Sequence, residues 1–418
     1  MSLAKVLTAA KKEVLPTKEE ENISLAAVHP ILKILQKCIP KAKVILGGSA
    51  AKGTWLRTFD VDVFVMFPYK QYGSKTSELS SILETPLKKK FPSLQRLHGS
   101  RDYFRISEAG FTFEVVPILR ISKASKAKNI TDISPLHSQW VKKHKKLANE
   151  IRLTKQFCKA NNLYGAESYI RGFSGYICEI LTIYYGSFPK LLKASMKWKE
   201  HTLIDTQNYY KKKDVFLEMN KSKLVSPLIV IDPVQHDRNA AAALSKEKFS
   251  QFVHAASTFL KKPSVEYFRE GSFHKSGLQT AFKGKKIVLV HLSPLEGKDD
   301  IIGAKMMKVF EHLQRSLKEN EFKSLHSDWK WLRGGDAHLY FVFGKKPLPP
   351  TVEREGPPLF AKQHVAHFKK AHKKTTIKNK RIYALERRVF ILPEKLIEKA
   401  LKDAYVLERV SSSFFEVC

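Results

Sequence analysis

The chain is short of acid. Its 418 residues include 40 Asp and Glu against 74 Lys and Arg, a formal charge of +34 at neutral pH. So large a deficit of carboxylates implies a polyanionic partner, with nucleic acid first and an anionic membrane surface second. Cysteine is scarce too: Cys38, Cys158, Cys178 and Cys418 are scattered, with no CxxC pair and no zinc spacing. That pattern excludes a disulfide framework and a zinc finger, and the four read as reduced, mostly buried residues. There is no run of about 18 uncharged apolar residues to span a membrane. The first residues, MSLAKVLTAAKKEVLPTKEEE, lack the continuous apolar core of a signal peptide. The expectation is a soluble, cytoplasmic protein without a membrane partner. No amphipathic helix pairs its lysines with an exposed aromatic face, which weakens the membrane-surface reading further. Internal repeats and low-complexity tracts are also missing.

What the chain does have is apolar content, 43% of it with 26 Phe, enough for a packed protein of two to four domains. Residues 1–40 pattern as two helices, the second interrupted or begun near Pro30. From 43 onward the period shifts to that of strands: KVILGGS, DVDVFVMFP, DYFRI and FTFEVVPIL, with a helix near SELSSILETPLKKKF. Between 140 and 265 helical spacing dominates, as in Trp140, His144, Leu147, Ile151, Thr154 and Cys158. Mixed structure returns with KKIVLVHL, AKMMKVFEHLQRSLKEN and HLYFVFGK, and the proline-rich KPLPPTVEREGPP (346–358) breaks the chain. The fold expected is multidomain α+β. Its parts are a head with a mixed sheet over 1–139, a helical neck over 140–265, an α/β body over 266–345 and a basic tail over 346–418.

One stretch carries chemistry: GGSAAKGTWLRTFDVDVFVMFP, residues 47–68. Alternate strand residues share a face, so Val61, Val63, Val65 and Phe67 form an apolar side while Asp60 and Asp62 head the other. Two carboxylates there are costly unless paired, and together they suit a hard divalent cation. Gly48 and Ser49 offer backbone N–H groups and a hydroxyl to phosphate oxygens, with Lys52 and Arg57 nearby. Glu114, flanked by Phe and Val in FTFEVVPIL, calls for a partner: a metal ion or one of the many Lys and Arg. Three acids beside a phosphate-binding turn make up the apparatus of two-metal nucleotidyl transfer.

The Gly48-Ser49 and Asp60-Val61-Asp62 pair with a later strand acid resembles the DNA polymerase β-like nucleotidyltransferase superfamily. ISPLHSQW (133–140), YGAESYIRGFSGYICEIL (164–181) and IDPVQHDRNAAAALS (231–245) narrow this. They resemble the archaeal, class I CCA-adding enzymes, the tRNA nucleotidyltransferases that add C, C and A to the tRNA 3′ end without a nucleic-acid template. The likeness is close over about residues 45–250 and collinear beyond. It implies Asp60, Asp62 and Glu114 as ligands of catalytic Mg2+, and Gly48, Ser49 and Lys52 as the triphosphate turn. Ser134, His137, Lys155 and Tyr164 are implied as further contacts to ATP or CTP, and Arg238 as reader of the incoming base. The chain departs from the family pattern at four of these. Asp60 and Glu114 stand where Glu and Asp are expected, Ser134 stands for Thr, and Lys52 for Arg. Taken alone, His137 reads as a helix-start histidine, Tyr164 as a core aromatic, Lys155 as a solvated lysine, and Arg238 as a partner of Asp232 or Asp237.

The run 361–383 carries eight Lys and Arg, three His and no acid. Lys369, Lys370, Lys373 and Lys374 are its densest part. Such a run is either a solvated helix face or a surface for the backbone of folded RNA, which is recognised mostly by shape. The resemblance implies tRNA, through its acceptor stem and TΨC arm. Two rivals stand beside CCA addition: a poly(A) polymerase-like enzyme using ATP alone, and an inactive relative that only binds RNA. The oligomeric state is left open, a homodimer included.

Overall fold

A computed structural model describes residues 2–57, 60–211, 213–270, 275–331 and 334–418. The chain divides into two compact units, Met1–Gly271 and Ser272–Cys418.

The first unit is built around a five-stranded sheet. Its strands are β1 (Lys43–Leu46), β2 (Val61–Pro68), β3 (Gln95–Leu97), β4 (Tyr103–Glu108) and β5 (Phe111–Arg120), in the order β1-β2-β5-β4-β3. Only β2 and β5 run parallel. Val61, Val63, Val65 and Phe67 are fully buried beneath two helices, Lys18–Cys38 and Leu79–Lys90. The apolar face read from the alternation of β2 is therefore the core face. The first of those helices starts in a capping box, with Glu20 N–H donating to Thr17 and Thr17 N–H to Glu20. It then runs straight through Pro30, where a break was expected, and Leu79–Lys90 likewise contains Pro86. Proline removes one intrahelical donor each time. Burial of Val28, Ile31 and Leu35 on one helix, and of Leu83 and Leu87 on the other, outweighs that loss.

A second core in the same unit is helical. Helices Ala148–Ala160, Gly175–Tyr185, Phe188–Ser195 and Lys246–Lys261 surround Phe157, Phe173, Phe188, Phe252 and Phe259. The first helix of the chain, Leu3–Val14, buries Val6, Ala10 and Val14 in this core rather than in that of the sheet. The region also holds a small sheet that helical periodicity did not announce: β6 (Thr202–Ile204), β7 (Leu228–Asp232) and β8 (Gln235–Asn239). The segment DPVQHDRN is thus a strand, a turn and a strand.

In the second unit, β9 (Lys286–Ser293), β10 (His326–Trp331) and β11 (Ala337–Phe343) are followed by a separate three-stranded sheet. That sheet comprises β12 (Thr351–Pro358), β13 (Thr375–Lys378) and β14 (Arg381–Arg387), in the order β12-β14-β13. The last strand, β15 (Ser412–Val417), returns to β9 and completes the order β10-β11-β9-β15. Helices Asp299–Glu319 and Pro393–Ala400 cover one face of that sheet. The proline-rich stretch read as a break becomes, from Thr351 on, the edge strand β12. Its register shifts between Glu355 and Pro358, where an edge and a bulge tolerate missing donors. The basic run is folded as well: helix Lys362–Ala371 lies on β12 through Phe368, and Gly356 permits this. A Cβ on Gly356 would stand 2.8 Å from the Phe368 ring.

Candidate active site

β2 and β5 set the site. Their parallel register places Asp62 directly beside Glu114 on the face away from the core. Asp60, exposed and one residue ahead of β2, lines the same cleft, which has a volume of about 810 Å³ and also takes in Ser49, Lys155 and Tyr164. The phosphate turn is wound as a short helix, Gly48–Lys52. Gly47 N–H donates to the Asp62 carbonyl at 2.7 Å, docking the turn on β2. Gly48 has φ +52°, and a Cβ there would fall 1.6 Å from an Asp62 carboxylate oxygen. Only glycine lets the turn approach that acid so closely.

Burial, the facing Glu114 and the nearby Asp60 push the Asp62 carboxyl up to about 6, against the pull of Lys52 and Lys155. Glu114 has found one cation, Arg105, directly across β4 and β5, with Nη2 donating to Oε1 at 3.2 Å. Of the two partners open to Glu114 on sequence, the protein's own arginine occupies it here. Among the described residues, no three His, Cys, Asp or Glu side chains are gathered into a metal-holding cluster. The donor chemistry of Asp60, Asp62 and Glu114, all hard carboxylate oxygens, fits a hard divalent cation.

Lys155 is not a solvated lysine. Its side chain is 4% exposed, and Nζ donates to Glu179 at 2.7 Å and to the Thr54 hydroxyl at 2.9 Å. Lys52 donates to the other oxygen of Glu179 at 2.8 Å. Burial works against charge on Glu179, but Lys155 and Lys52 more than offset it and hold the carboxyl down at about 2. Glu179 escaped the reading of the sequence. A lone acid inside the apolar run YICEILTIYY was the signal for it. Tyr164 also lines the cleft, and burial raises its hydroxyl pKa. Two close approaches in RGFSGY place it: a Cβ on Gly172 would meet the Leu163 carbonyl at 2.2 Å, and one on Gly175 the Tyr164 hydroxyl at 2.7 Å.

The remaining residues gather around Asp232, at the end of β7. His137 Nε2 and Arg238 Nη1 donate to its Oδ2 at 3.0 and 2.6 Å. The Tyr176 hydroxyl and Val234 N–H donate to Oδ1 at 3.2 and 3.0 Å. A carboxylate only accepts, so the neutral His137 carries its hydrogen on Nε2. Burial lowers the His137 pKa, although Asp232 opposes this. Arg238 thus has the Asp232 partner allowed for it, yet its side chain remains 31% exposed. The Tyr176 and His137 rings meet at a tilt of 31° with centroids 4.1 Å apart, and Lys52 Nζ lies 5.2 Å from the Tyr176 ring centroid. Ser134 opens the helix Ser134–Lys142 and is half-buried. Lys369, Lys370, Lys373 and Lys374 are exposed in the second unit, and among the described residues none is in an ion pair.

Comparison with known proteins follows the same order along the chain. Family profiles match in three blocks: a nucleotidyltransferase domain over 29–137, the second domain of tRNA nucleotidyltransferase over 149–269, and the C-terminal domain of CCA-adding enzyme over 283–412. The CCA-adding enzyme of Nanoarchaeum equitans is 38% identical over 311 residues, 74% of this chain and 76% of that one. The CCA-adding enzyme of Methanocaldococcus jannaschii is 32% identical over 411 residues, 93% and 89% of the two chains. Among solved structures, the Cid1 poly(U) polymerase bound to MgATP superimposes with a TM-score of 0.51 at 13% identity, over 64% of this chain and 98% of that one. That likeness concerns the fold alone.

Proposed function

The chain belongs to the archaeal, class I CCA-adding enzymes, and on that premise we propose how its residues divide the reaction. It is a nucleotidyltransferase that performs CCA addition, with tRNA and nucleoside triphosphates as substrates. The observation that carries the site assignment is the register of Asp62 against Glu114, with Asp60 and the Gly48-Ser49 helix on the same cleft.

Asp60, Asp62 and Glu114 would hold Mg2+, the ion taking the place of Arg105 at Glu114. Bound there, it would supply charge neutralisation at the reacting phosphate and lower the pKa of the attacking hydroxyl. Gly48, Ser49, Lys52, Lys155 and Tyr164 hold the triphosphate. Ser134 and His137 complete the nucleotide contacts, and Arg238 points a rigid fork of donors at the base edge. Held in line, the 3′-oxygen of tRNA forms a bond to the α-phosphorus of CTP or ATP. The bond from that phosphorus to the β-phosphate oxygen breaks, pyrophosphate leaves, and the hydroxyl proton passes to solvent. The chain itself supplies position and charge. Within the first unit, we assign 1–139 to the catalytic head and 140–265 to nucleotide selection. The body, 266–345, begins at the end of the first unit and lies mostly in the second, where 346–418 engages the acceptor stem and TΨC arm.

Incubating the protein with tRNA trimmed of its 3′ end and each labelled nucleotide in turn tests this reading. Ordered incorporation of CTP, CTP and ATP is expected; addition of ATP alone in long runs would replace it with the poly(A) reading. Changing Lys369, Lys370, Lys373 and Lys374 together to Ala should weaken tRNA binding across a salt series. Each lost duplex phosphate contact removes about 0.9 from the slope of log affinity against log salt. A minihelix of acceptor stem and TΨC arm should respond as the whole tRNA does. An unchanged slope makes these lysines a solvated face.

A further inference from the structure

Glu179 lies where no carboxylate belongs on burial grounds. Its side chain is 1% exposed in the helix Gly175–Tyr185, between residues of the helical core. Removing a carboxylate from water costs several kcal/mol unless its oxygens are matched by donors of good geometry. Both oxygens are matched. Oε2 accepts from Lys52 at 2.8 Å, and Oε1 accepts from Lys155 and from the Thr54 hydroxyl, each at 2.7 Å. Thr54 in turn accepts from Lys155 at 2.9 Å, so the four side chains close into one network.

The partners are two cations from separate elements. Lys52 ends the short helix that docks on β2, and Lys155 belongs to the helix Ala148–Ala160 of the other core. Two ammonium groups share one carboxylate, so the network keeps an excess positive charge beside the cleft. An ammonium has three donors. Glu179 takes one from Lys52, which keeps capacity for anionic oxygens; Lys155 gives its three to Glu179, the Thr54 hydroxyl and, at 3.3 Å, the Thr54 carbonyl, the longest and the one a phosphate oxygen would replace. Long lysine side chains otherwise spread over many rotamers, and each loses conformational entropy when it is fixed. A buried anchor makes that loss before substrate arrives.

We propose that Glu179 is a positioning residue for the triphosphate, holding Lys52 and Lys155 at a fixed separation where the nucleotide's phosphates bind. This rests on the assignment of those two lysines to the triphosphate. Buried ion pairs are weak devices for stability, since apolar replacements are often no worse; a network joining Lys52 to the cleft-lining Lys155 has its use in binding.

Three full-length variants test it: Glu179→Gln, Glu179→Asp and Lys155→Met. Measurements are steady-state addition to trimmed tRNA and calorimetric titration with inorganic pyrophosphate. Glu179→Gln should raise the KM for CTP and for ATP by about tenfold or more, the worth of a charged hydrogen bond. Pyrophosphate affinity should fall by a similar factor, while the KM for tRNA and the preference over UTP and GTP stay put. Glu179→Asp, which keeps the charge, should recover part of the loss. If Glu179→Gln leaves the KM for nucleotide unchanged, lowers it, or raises nucleotide and tRNA KM alike, Glu179 is a brace only and the inference is overturned. If Glu179→Gln fails to fold, Thr54→Val, which removes one member of the network without a charge, must still raise nucleotide KM for the inference to survive. Lys155→Met separates the two levels. Unchanged pyrophosphate affinity there overturns the triphosphate assignment, and this inference with it. A loss there without one in Glu179→Gln overturns only the role of Glu179.

Discussion

Asp62→Asn should abolish nucleotide addition and, in the same protein, raise its stability in the absence of metal. The loss of activity follows from position. Asp62 stands in register with Glu114 at the head of β2, and removing one ligand charge from a site that neutralises a reacting phosphate forfeits several kcal/mol of barrier lowering. A rate reduced at least about a thousandfold corresponds to that energy. The gain in stability follows from the carboxyl's position at about 6, set first by burial and then by Glu114 and Asp60. A raised acid binds its proton more tightly folded than unfolded. Stability therefore falls as pH rises through the window from about 4 to about 6, and remains lower above it. At neutral pH the cost is on the order of 3 kcal/mol, and an amide escapes it. Thermal melts of wild type and variant should coincide near pH 4 and separate by pH 7, with the variant melting higher. Added Mg2+ should raise the wild-type midpoint and leave the variant's in place, because only a state that binds the ion is stabilised by it. Retained turnover, or a wild-type midpoint indifferent to Mg2+, would remove Asp62 from the metal site; melts that stay together from pH 4 to 7 would show that its carboxyl is not raised. Binding of tRNA should be nearly the same in both.

The contrast between Asp62 and Glu179 shows what could be read from the chain alone. Asp60 and Asp62 were legible because strand alternation is local: two acids interleaved with the start of Val61, Val63, Val65 and Phe67 break a pattern within eight residues. The register that puts Asp62 beside Glu114 is not local. It joins positions far apart in the chain, and it was supplied by resemblance and then by the fold. Glu179 was passed over because its partners, Lys52 and Lys155, come from two other elements that no periodicity connects. The return of β15 to β9 was hidden for the same reason: the 118 residues between Ser293 and Ser412 carry no trace of the pairing. Pro30 and the 346–358 stretch misled in the opposite way. Proline reports a missing donor reliably, but whether the chain stops there depends on the apolar surface buried on either side and on whether the strand lies at an edge.

Asp232→Asn is the second large effect expected, and it should damage stability and base selection together. Four donors converge on this fully buried carboxylate: His137, Arg238, Tyr176 and the backbone of Val234. Burial works against its charge, yet His137, Val234 and Arg238 hold it down at about 2. A depressed acid contributes stability that is present above the ordinary carboxylate range and lost as pH falls from about 4 to about 2. Neutralising it leaves the Arg238 guanidinium without its anchor and turns an amide donor toward two other donors. Breaking one partner of a buried pair in this way costs about 3–5 kcal/mol. Chemical denaturation at neutral pH should show a loss of that order, narrowing below about pH 4. The effect on selection follows from Arg238. Only partly exposed and tied at one nitrogen to Asp232, it presents its remaining donors in a fixed direction. Without the anchor, discrimination against UTP and GTP should relax while pyrophosphate affinity holds, because Lys52 and Lys155 keep Glu179. Arg238→Ala separates the two consequences. The arginine sits at the rim of the network, so its removal should relax discrimination as much as Asp232→Asn does, at a smaller cost in stability. An Asp232→Asn protein that is less stable but selects CTP and ATP as sharply as before would make the cluster a structural brace. An Arg238→Ala protein that loses affinity for all four nucleotides equally would move Arg238 from the base to the phosphates.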